Sequence, residues 1–305
     1  MVPRVAYLGP EGTFTEAALL QLAADGTVSA AELRPLPYDS NEAALTAVRG
    51  AAADYACVPI ENSIEGSVTP TLDSLSTGTP LQIYAEHTLD VSFAIAVRPG
   101  TAAADVATVA AFPVALAQVR RWLAANLPDA TVVPANSNAA AAQDVADGRA
   151  DAGVSTELAA ERRGLATLAT GVVDEANART RFVLAGPPGP PPARSGADRT
   201  SVVLKLENEP GALVAAMTEF SVRGIDLTRI ESRPTRVELG TYLFFLDVVG
   251  HIDDAPVAEA LTALHRRCAD VRYLGSWPTQ APTGTVPPTT DEATTWLETL
   301  KRGHR

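Results

Sequence analysis

The chain has little cysteine. Cys57 and Cys268 are the only two in 305 residues, and they lie far apart in sequence. Two cysteines cannot build a disulfide framework, and neither sits in a metal-ligand spacing. They read as reduced, buried, structural thiols of a cytosolic protein. Four scattered histidines leave no zinc pattern. Long apolar runs are missing, and Met1-Val2-Pro3-Arg4-Val5 lacks the apolar stretch of a leader. Neither a transmembrane helix nor a signal peptide is therefore expected. Basic residues are in deficit, 24 Lys and Arg against 36 Asp and Glu, giving a net charge of -12. That balance argues against non-specific nucleic-acid binding. It also means that an anionic ligand would need local arginines and backbone amides.

An apolar content of 46% and a charged content of 20% describe a globular chain, long enough for two domains. The clearest boundary is the proline-rich run from Gly186 to Asp198, which predicts an extended, exposed linker. Before it, short apolar strands alternate with helices, the pattern of mostly parallel sheets covered on both faces. After it, strands over 199–207, 227–236, 240–249 and 271–274 enclose two helices. That order is βαββαβ, a ferredoxin-like unit. From Trp277 the chain turns Pro- and Thr-rich. Residues 277–305 read as a mobile tail, in preference to a short helix over 291–301.

Polar stretches stand where α/β proteins place ligands, after the carboxyl ends of strands. Gly9 to Thr15 is a glycine turn feeding a helix, with Thr13 or Thr15 as its cap and Glu16 in its first turn. Amides around Gly12 and Thr13 then suit an anion, although a plain strand-to-helix connection explains the same residues equally well. It is not a P-loop, since the lysine is missing. Pro59 to Ser67 sets a carboxyl, an amide and a hydroxyl in a row at Glu61, Asn62 and Ser63. A turn with a helix cap accounts for Asn62 and Ser63, but less well for the whole block. The run from Asp174 to Phe182 puts a hydroxyl donor, Thr180, beside a fixed cation, Arg181. Adjacent strand residues point to opposite faces, so both reach one site only near a strand end. A solvated Arg at a polar strand end is the plain alternative.

Taken in order, these stretches resemble a known family. Tyr7-Leu8-Gly9-Pro10-Glu11-Gly12-Thr13-Phe14, Pro59-Ile60-Glu61-Asn62-Ser63 and Asp174 to Phe182 are similar to the three landmarks of the prephenate dehydratase catalytic domain. Asn208 to Val214 and Leu227 to Pro234 resemble the two effector-loop motifs of its ACT regulatory domain. The resemblance runs from about residue 4 to 276. It departs at Ala111-Phe112-Pro113-Val114, where the family often has Ser-His-Pro-Gln, and at Ser137-Asn138, where a Ser-Thr pair is common. No chorismate mutase domain precedes residue 4, so the fused bifunctional arrangement is not expected.

The resemblance implies an α/β, two-lobed catalytic domain over 1–185, like type II periplasmic binding proteins. Lobe one would span 1–76 and 170–185, and lobe two 77–169. The linker would be 186–198 and the ACT domain 199–276. The implied reaction removes water and carbon dioxide from prephenate to give phenylpyruvate, in a cytoplasmic enzyme of phenylalanine biosynthesis. Aromatisation drives it, so no redox cofactor or metal is expected. Implied catalytic residues are Thr180, Arg181, Phe182, Glu61, Asn62 and Ser63. Thr180 would donate to the leaving hydroxyl, Arg181 would hold carboxylate, and Glu61 is a candidate proton source. Gly12, Thr13, Thr15, Ser137 and Thr156 would bind substrate. L-Phenylalanine would bind at Asn208, Gly211, Ala212, Leu213 and Val214, with Glu231, Ser232, Arg233 and Pro234 supplied by a neighbouring subunit. A homo-oligomer, dimer or tetramer, follows from such ACT pairing, with neither nucleic acid nor membrane as a partner. The rivals are a small-molecule binding protein on the same fold and an ACT-type amino-acid sensor without catalysis.

Overall fold

The computed structural model describes residues 2–26, 33–175, 178–236, 240–280, 284–288 and 291–303. The chain begins β1 (Arg4–Leu8), α1 (Phe14–Ala24), β2 (Arg34–Tyr38), α2 (Asn41–Arg49), β3 (Tyr55–Asn62), β4 (Gly66–Ser67), α3 (Thr69–Ser76) and β5 (Gln82–Asp90). It continues β6 (Phe93–Val97), β7 (Thr108–Ala111), α4 (Pro113–Asn126), β8 (Thr131–Pro134), α5 (Asn138–Ala146), β9 (Ala152–Ser155), α6 (Glu157–Arg162), β10 (Ala166–Val172) and β11 (Arg179–Gly186). It ends β12 (Asp198–Lys205), α7 (Ala212–Ser221), β13 (Leu227–Pro234), β14 (Tyr242–Val249), α8 (Ala255–Arg267), β15 (Asp270–Pro278) and α9 (Asp291–Lys301). Two compact units result: Met1–Ser74 with His87–Leu184, and Leu75–Glu86 with Ala185–Arg305.

The first unit holds two α/β lobes. One sheet runs β2-β1-β3-β11-β5, with β4 paired to β3. The other runs β10-β6-β9-β7-β8. Parallel pairing joins β1 to β2 and β3, and β7 to β8 and β9, whereas β6 pairs antiparallel with β9 and β10. The sheets are therefore mixed, less parallel than alternation alone suggested. β2 escapes sequence reading because Pro35 and Pro37 interrupt it, which an edge strand tolerates. β10, half exposed at the other sheet's edge, lacks an apolar pattern. The second lobe's core gathers Phe93, Ile95, Val109, Val119, Leu123 and Val154.

The second unit is the βαββαβ fold, with strand order β13-β14-β12-β15 and antiparallel pairs throughout. Val202, Leu204, Leu246 and Val248 of the sheet pack on Phe220 of α7 and Leu264 of α8. Residues 75–86, which include the start of β5, cluster with this unit. The Arg272 guanidinium donates to the carbonyls of Leu75, Thr77 and Gly78 at 3.2, 3.1 and 3.2 Å. Gly275, at φ 137°, lets β15 lie directly against this segment: a Cβ there would stand 2.2 Å from the Ile83 carbonyl oxygen. The linker is anchored, with the Tyr84 hydroxyl donating to Pro187 O at 2.5 Å.

Within the stretch read as a mobile tail, the described residues include the end of β15 and α9. β15 extends through the fully buried Trp277, and Thr285 N donates to Asp226 Oδ2 at 3.0 Å. α9 forms over the stretch where a helix was the less favoured reading. Trp277 carries enough apolar surface to hold the strand's end down, which a composition-based reading of Pro and Thr overlooks.

Candidate active site

Because β1 and β3 are parallel, the loops that follow them leave the first sheet at the same edge. β11 lies next to β3, and its first residues meet the last residues of that strand. Ser63 N donates to Arg179 O, and Ser63 Oγ accepts from Arg179 N, both at 2.8 Å. Asn62 Nδ2 donates to Thr180 Oγ1 at 2.9 Å. Arg181 donates to Glu61 Oε2 from Nε at 3.2 Å and from Nη2 at 2.9 Å. Strand alternation therefore sets Thr180 with Asn62 on one face and Arg181 with Glu61 on the other. Both pairs sit at the strand ends, at the last residues of β3 and the first of β11.

The Asn62 amide has only one orientation that satisfies its neighbours. Its Oδ1 accepts from the backbone N–H groups of Ile64 at 2.8 Å and Glu65 at 3.0 Å. The NH2 end must then face Thr180, so Thr180 Oγ1 is an acceptor in this pair. The hydroxyl's own proton is left to point elsewhere. Thr180 is 9% exposed, so that proton is offered inside a sheltered edge and not to bulk water.

Other predicted residues have structural duties. Phe182 is buried in the sheet's core, where it packs and offers no reacting group. Ser63 fastens β11 beside Thr180. Thr13 caps α1, accepting from Glu16 N at 3.4 Å, while Thr15 is buried and its carbonyl faces Cys57. The Gly12 amide donates to Glu16 Oε2 at 2.6 Å, because that carboxylate folds back over the turn. Ser137 caps α5 through Ala140 N at 3.0 Å. Thr156 caps α6 and also donates from Oγ1 to Gly12 O at 2.5 Å. Asp174 holds the backbone of α4, accepting from Arg121 N at 2.7 Å and Trp122 N at 3.1 Å. Ala176 and Asn177, within the same motif, lie outside the described residues.

Sequence reasoning gave Glu16 only a dipole role and passed over Arg162. The Thr13-to-Glu16 spacing is that of a capping box and would have pointed to Glu16. Nothing local points to Arg162, 146 residues away. An open groove of about 670 Å³ lies beside Pro10, lined also by Pro134, Asn136, Gln143, Arg149 and Arg163. None of the Thr180, Asn62, Glu61 or Arg181 side chains lines it.

In the second unit, Gly211 is the N-cap of α7 at φ 85°. That left-handed backbone favours glycine, and a Cβ there would meet nothing within 4 Å among the described residues. The two stretches that resemble effector loops come together at one end of the sheet: Lys205, just before the Asn208 loop, and Arg233 are both in register with Leu243. Ala212, Leu213, Glu231 and Arg233 are partly buried, and Asn208, Val214, Ser232 and Pro234 are exposed.

Residues 5–188 match the family model of prephenate dehydratase, and residues 200–266 match the ACT domain. A prephenate dehydratase of Mycolicibacterium vanbaalenii strain PYR-1 is 72% identical over 310 residues, covering 99% of both chains. A crystal structure of prephenate dehydratase from Arthrobacter aurescens in complex with L-Phe superposes with a TM-score of 0.86 at 40% identity, covering 98% of this chain and 99% of that one. The structure of GqqA, a quorum-quenching acylase, gives 0.80 at 29% identity over 91% and 98%. A shared fold can therefore carry a different activity, and the fold alone decides nothing about function. The full-length identity and the match to most of the first unit decide the kinship: this chain belongs to the prephenate dehydratase family.

Proposed function

We infer that the chain catalyses the decarboxylating dehydration of prephenate to phenylpyruvate and that L-phenylalanine regulates it. Full-length identity of 72% to a prephenate dehydratase supports the activity, and the L-Phe complex of the Arthrobacter enzyme supports the effector. The observation that carries the chemistry is the oriented hydroxyl of Thr180. As the carboxylate's C–C bond breaks, its electrons enter the ring and expel the ring hydroxyl, which needs a hydrogen bond as negative charge develops on it. Threonine is too weak an acid to protonate outright, but with Asn62 holding Oγ1 its proton is available to that oxygen.

Arg181 is the site's fixed cation, and Glu61 its occupant. The Arg181 side chain is 8% exposed and that of Glu61 41%. A half-solvated carboxylate leaves such a pair at little cost, whereas the guanidinium stays. A substrate carboxylate then takes the Nε–Nη2 edge, which suits bidentate contact. This exchange stands in place of a proton-source role for Glu61. We assign residues 1–185 to catalysis and 199–276 to effector binding, in a cytoplasmic homo-oligomer whose paired ACT domains enclose phenylalanine. The test is turnover of prephenate, and separately of arogenate, followed by the absorbance of phenylpyruvate or phenylalanine. No turnover of either substrate by folded protein would overturn the reading.

A further inference from the structure

The end of the Gly9–Thr13 loop and the first turn of α1 are gripped from the second lobe at alternate residues. Gly12, at φ 88°, lies so close to α6 that a Cβ would stand 2.6 Å from Ala159 Cβ. Phe14 meets Phe93 edge to face, with ring centroids 5.6 Å apart. Glu16 spans both lobes. Its Oε2 accepts from Gly12 N at 2.6 Å, and its Oε1 accepts from Arg162 Nη2 at 2.5 Å. Arg162 also meets Glu11 at 3.4 Å. The Gly12 peptide is thus held at both ends, its N–H by Glu16 and its C=O by Thr156.

A capping box would explain a Glu at this position, but its carboxylate would serve the cap's own amide and face solvent. Here the Glu16 side chain is 1% exposed, against 36% for Arg162. A buried carboxylate without a cationic partner is costly, so Arg162 is bound into the arrangement that buries it. Close by, the Tyr7 hydroxyl is fully buried and has no hydrogen-bond partner. Burial pushes its pKa up, and the charges of Glu16 and Glu11 push the same way, against Arg162. Charge placement acts on the loop beside packing, through the bonds of Glu16 to Gly12 N and to Arg162.

We propose that Glu16 is a positioning residue that, through Arg162, latches the second lobe onto the glycine loop and so sets the width of the cleft that admits substrate. The proposal rests on the reading of the chain as a prephenate dehydratase. The latch lies between two lobes of one unit and acts on the loop at the carboxyl end of β1, the strand that pairs in parallel with β3. Opening it moves the loop without touching Thr180 or Arg181.

The test is steady-state kinetics on full-length Arg162→Met, Arg162→Lys, Glu16→Gln and the Glu16→Gln/Arg162→Met double variant, each checked for folding by thermal melting. Arg162→Met is expected to lower kcat/KM by about tenfold or more, chiefly through KM, as small misplacements do. Arg162→Lys should recover part of the loss, since it restores a charge for the carboxylate. The double variant should be no worse than the poorer single one, because coupled partners are non-additive. A residue needed only for stability would lower the melting temperature and leave KM of the folded enzyme unchanged. Folded Arg162→Met with kcat and KM both within about twofold of wild type, well below that misplacement scale, would overturn the proposal. So would strictly additive losses in the double variant. A wild-type chain that turned over no prephenate would instead defeat the functional reading.

Discussion

Arg181 and Glu61 form an uneven pair: two guanidinium N–H groups, at 3.2 and 2.9 Å, converge on one carboxylate oxygen, Glu61 Oε2. The arginine is buried and the glutamate half exposed. If Glu61 keeps the place of a substrate carboxylate, Glu61→Gln should lower KM, because a neutral amide competes less well for the cation. Arg181→Lys keeps the charge but loses the planar edge. Loss of a charged hydrogen bond of about 1.5–3 kcal/mol predicts a KM raised roughly ten- to hundredfold. Steady-state kinetics decide it, and a Glu61→Gln enzyme with unchanged KM and much reduced kcat would return Glu61 to the proton-donor role.

The Asn62–Thr180 contact makes a sharper prediction. Thr180→Ala should lower kcat on the order of a hundredfold with KM little changed, and Thr180→Ser should retain most of the activity. Asn62→Asp replaces a donor by an acceptor and turns the Thr180 proton toward the new carboxylate. It should therefore be more damaging than Asn62→Ala, although it is closer in shape. The reverse order in kcat would mean that Asn62 merely fills space.

At Gly211 the backbone conformation, not crowding, makes the prediction. Any side chain at φ 85° is strained, at a cost of about 1–3 kcal/mol. Gly211→Val should disturb the start of α7 and abolish the response to phenylalanine while basal turnover persists. The response is read as inhibition over a phenylalanine titration, and wild-type inhibition in the variant would place the effector elsewhere. A point variant is cleaner than removing residues 199–305, since that deletion strips β15 from residues 75–86.

Arg272 caps the end of α3 by binding three carbonyls in the segment that precedes β5. Arg272→Met should leave phenylalanine binding intact, measured by calorimetry, while weakening inhibition. Equal loss of both would make Arg272 a simple stability residue.

Asp151 gives a pH-dependent prediction. Its carboxylate accepts from Thr108 Oγ1 at 2.8 Å, Thr108 N at 3.0 Å and Ala107 N at 3.2 Å, with Arg98 beside it. The Thr108 hydroxyl bond leads in holding its pKa below the usual aspartate value, and the amides and Arg98 add to it against desolvation. A depressed folded-state pKa stabilises the fold above the unfolded-state pKa, near 4, and that contribution fades as pH falls through the folded value. Asp151→Asn should therefore lower the melting temperature at pH 7 and much less at about pH 3. A deficit that stays constant across that range would attribute the effect to lost geometry, not charge.

Much of this protein is written locally. Apolar runs such as Ala152–Val154 and the Gly-terminated helix over 139–147 specify their elements from neighbours alone, because period and capping are short-range. The effector loop and the Thr180-Arg181-Phe182 run are likewise contiguous. What only the tertiary structure decided is how each polar group is used. Phe182 packs, Ser63 pins a strand, and the Gly12 amide goes to Glu16, whose carboxylate folds back from four residues on. Glu61 is claimed by Arg181, and Glu16 by Arg162, across 120 and 146 residues. Such pairs are chosen by burial: a charge withdrawn from water takes whichever partner the fold brings within reach, and no local pattern in the sequence carries that distance.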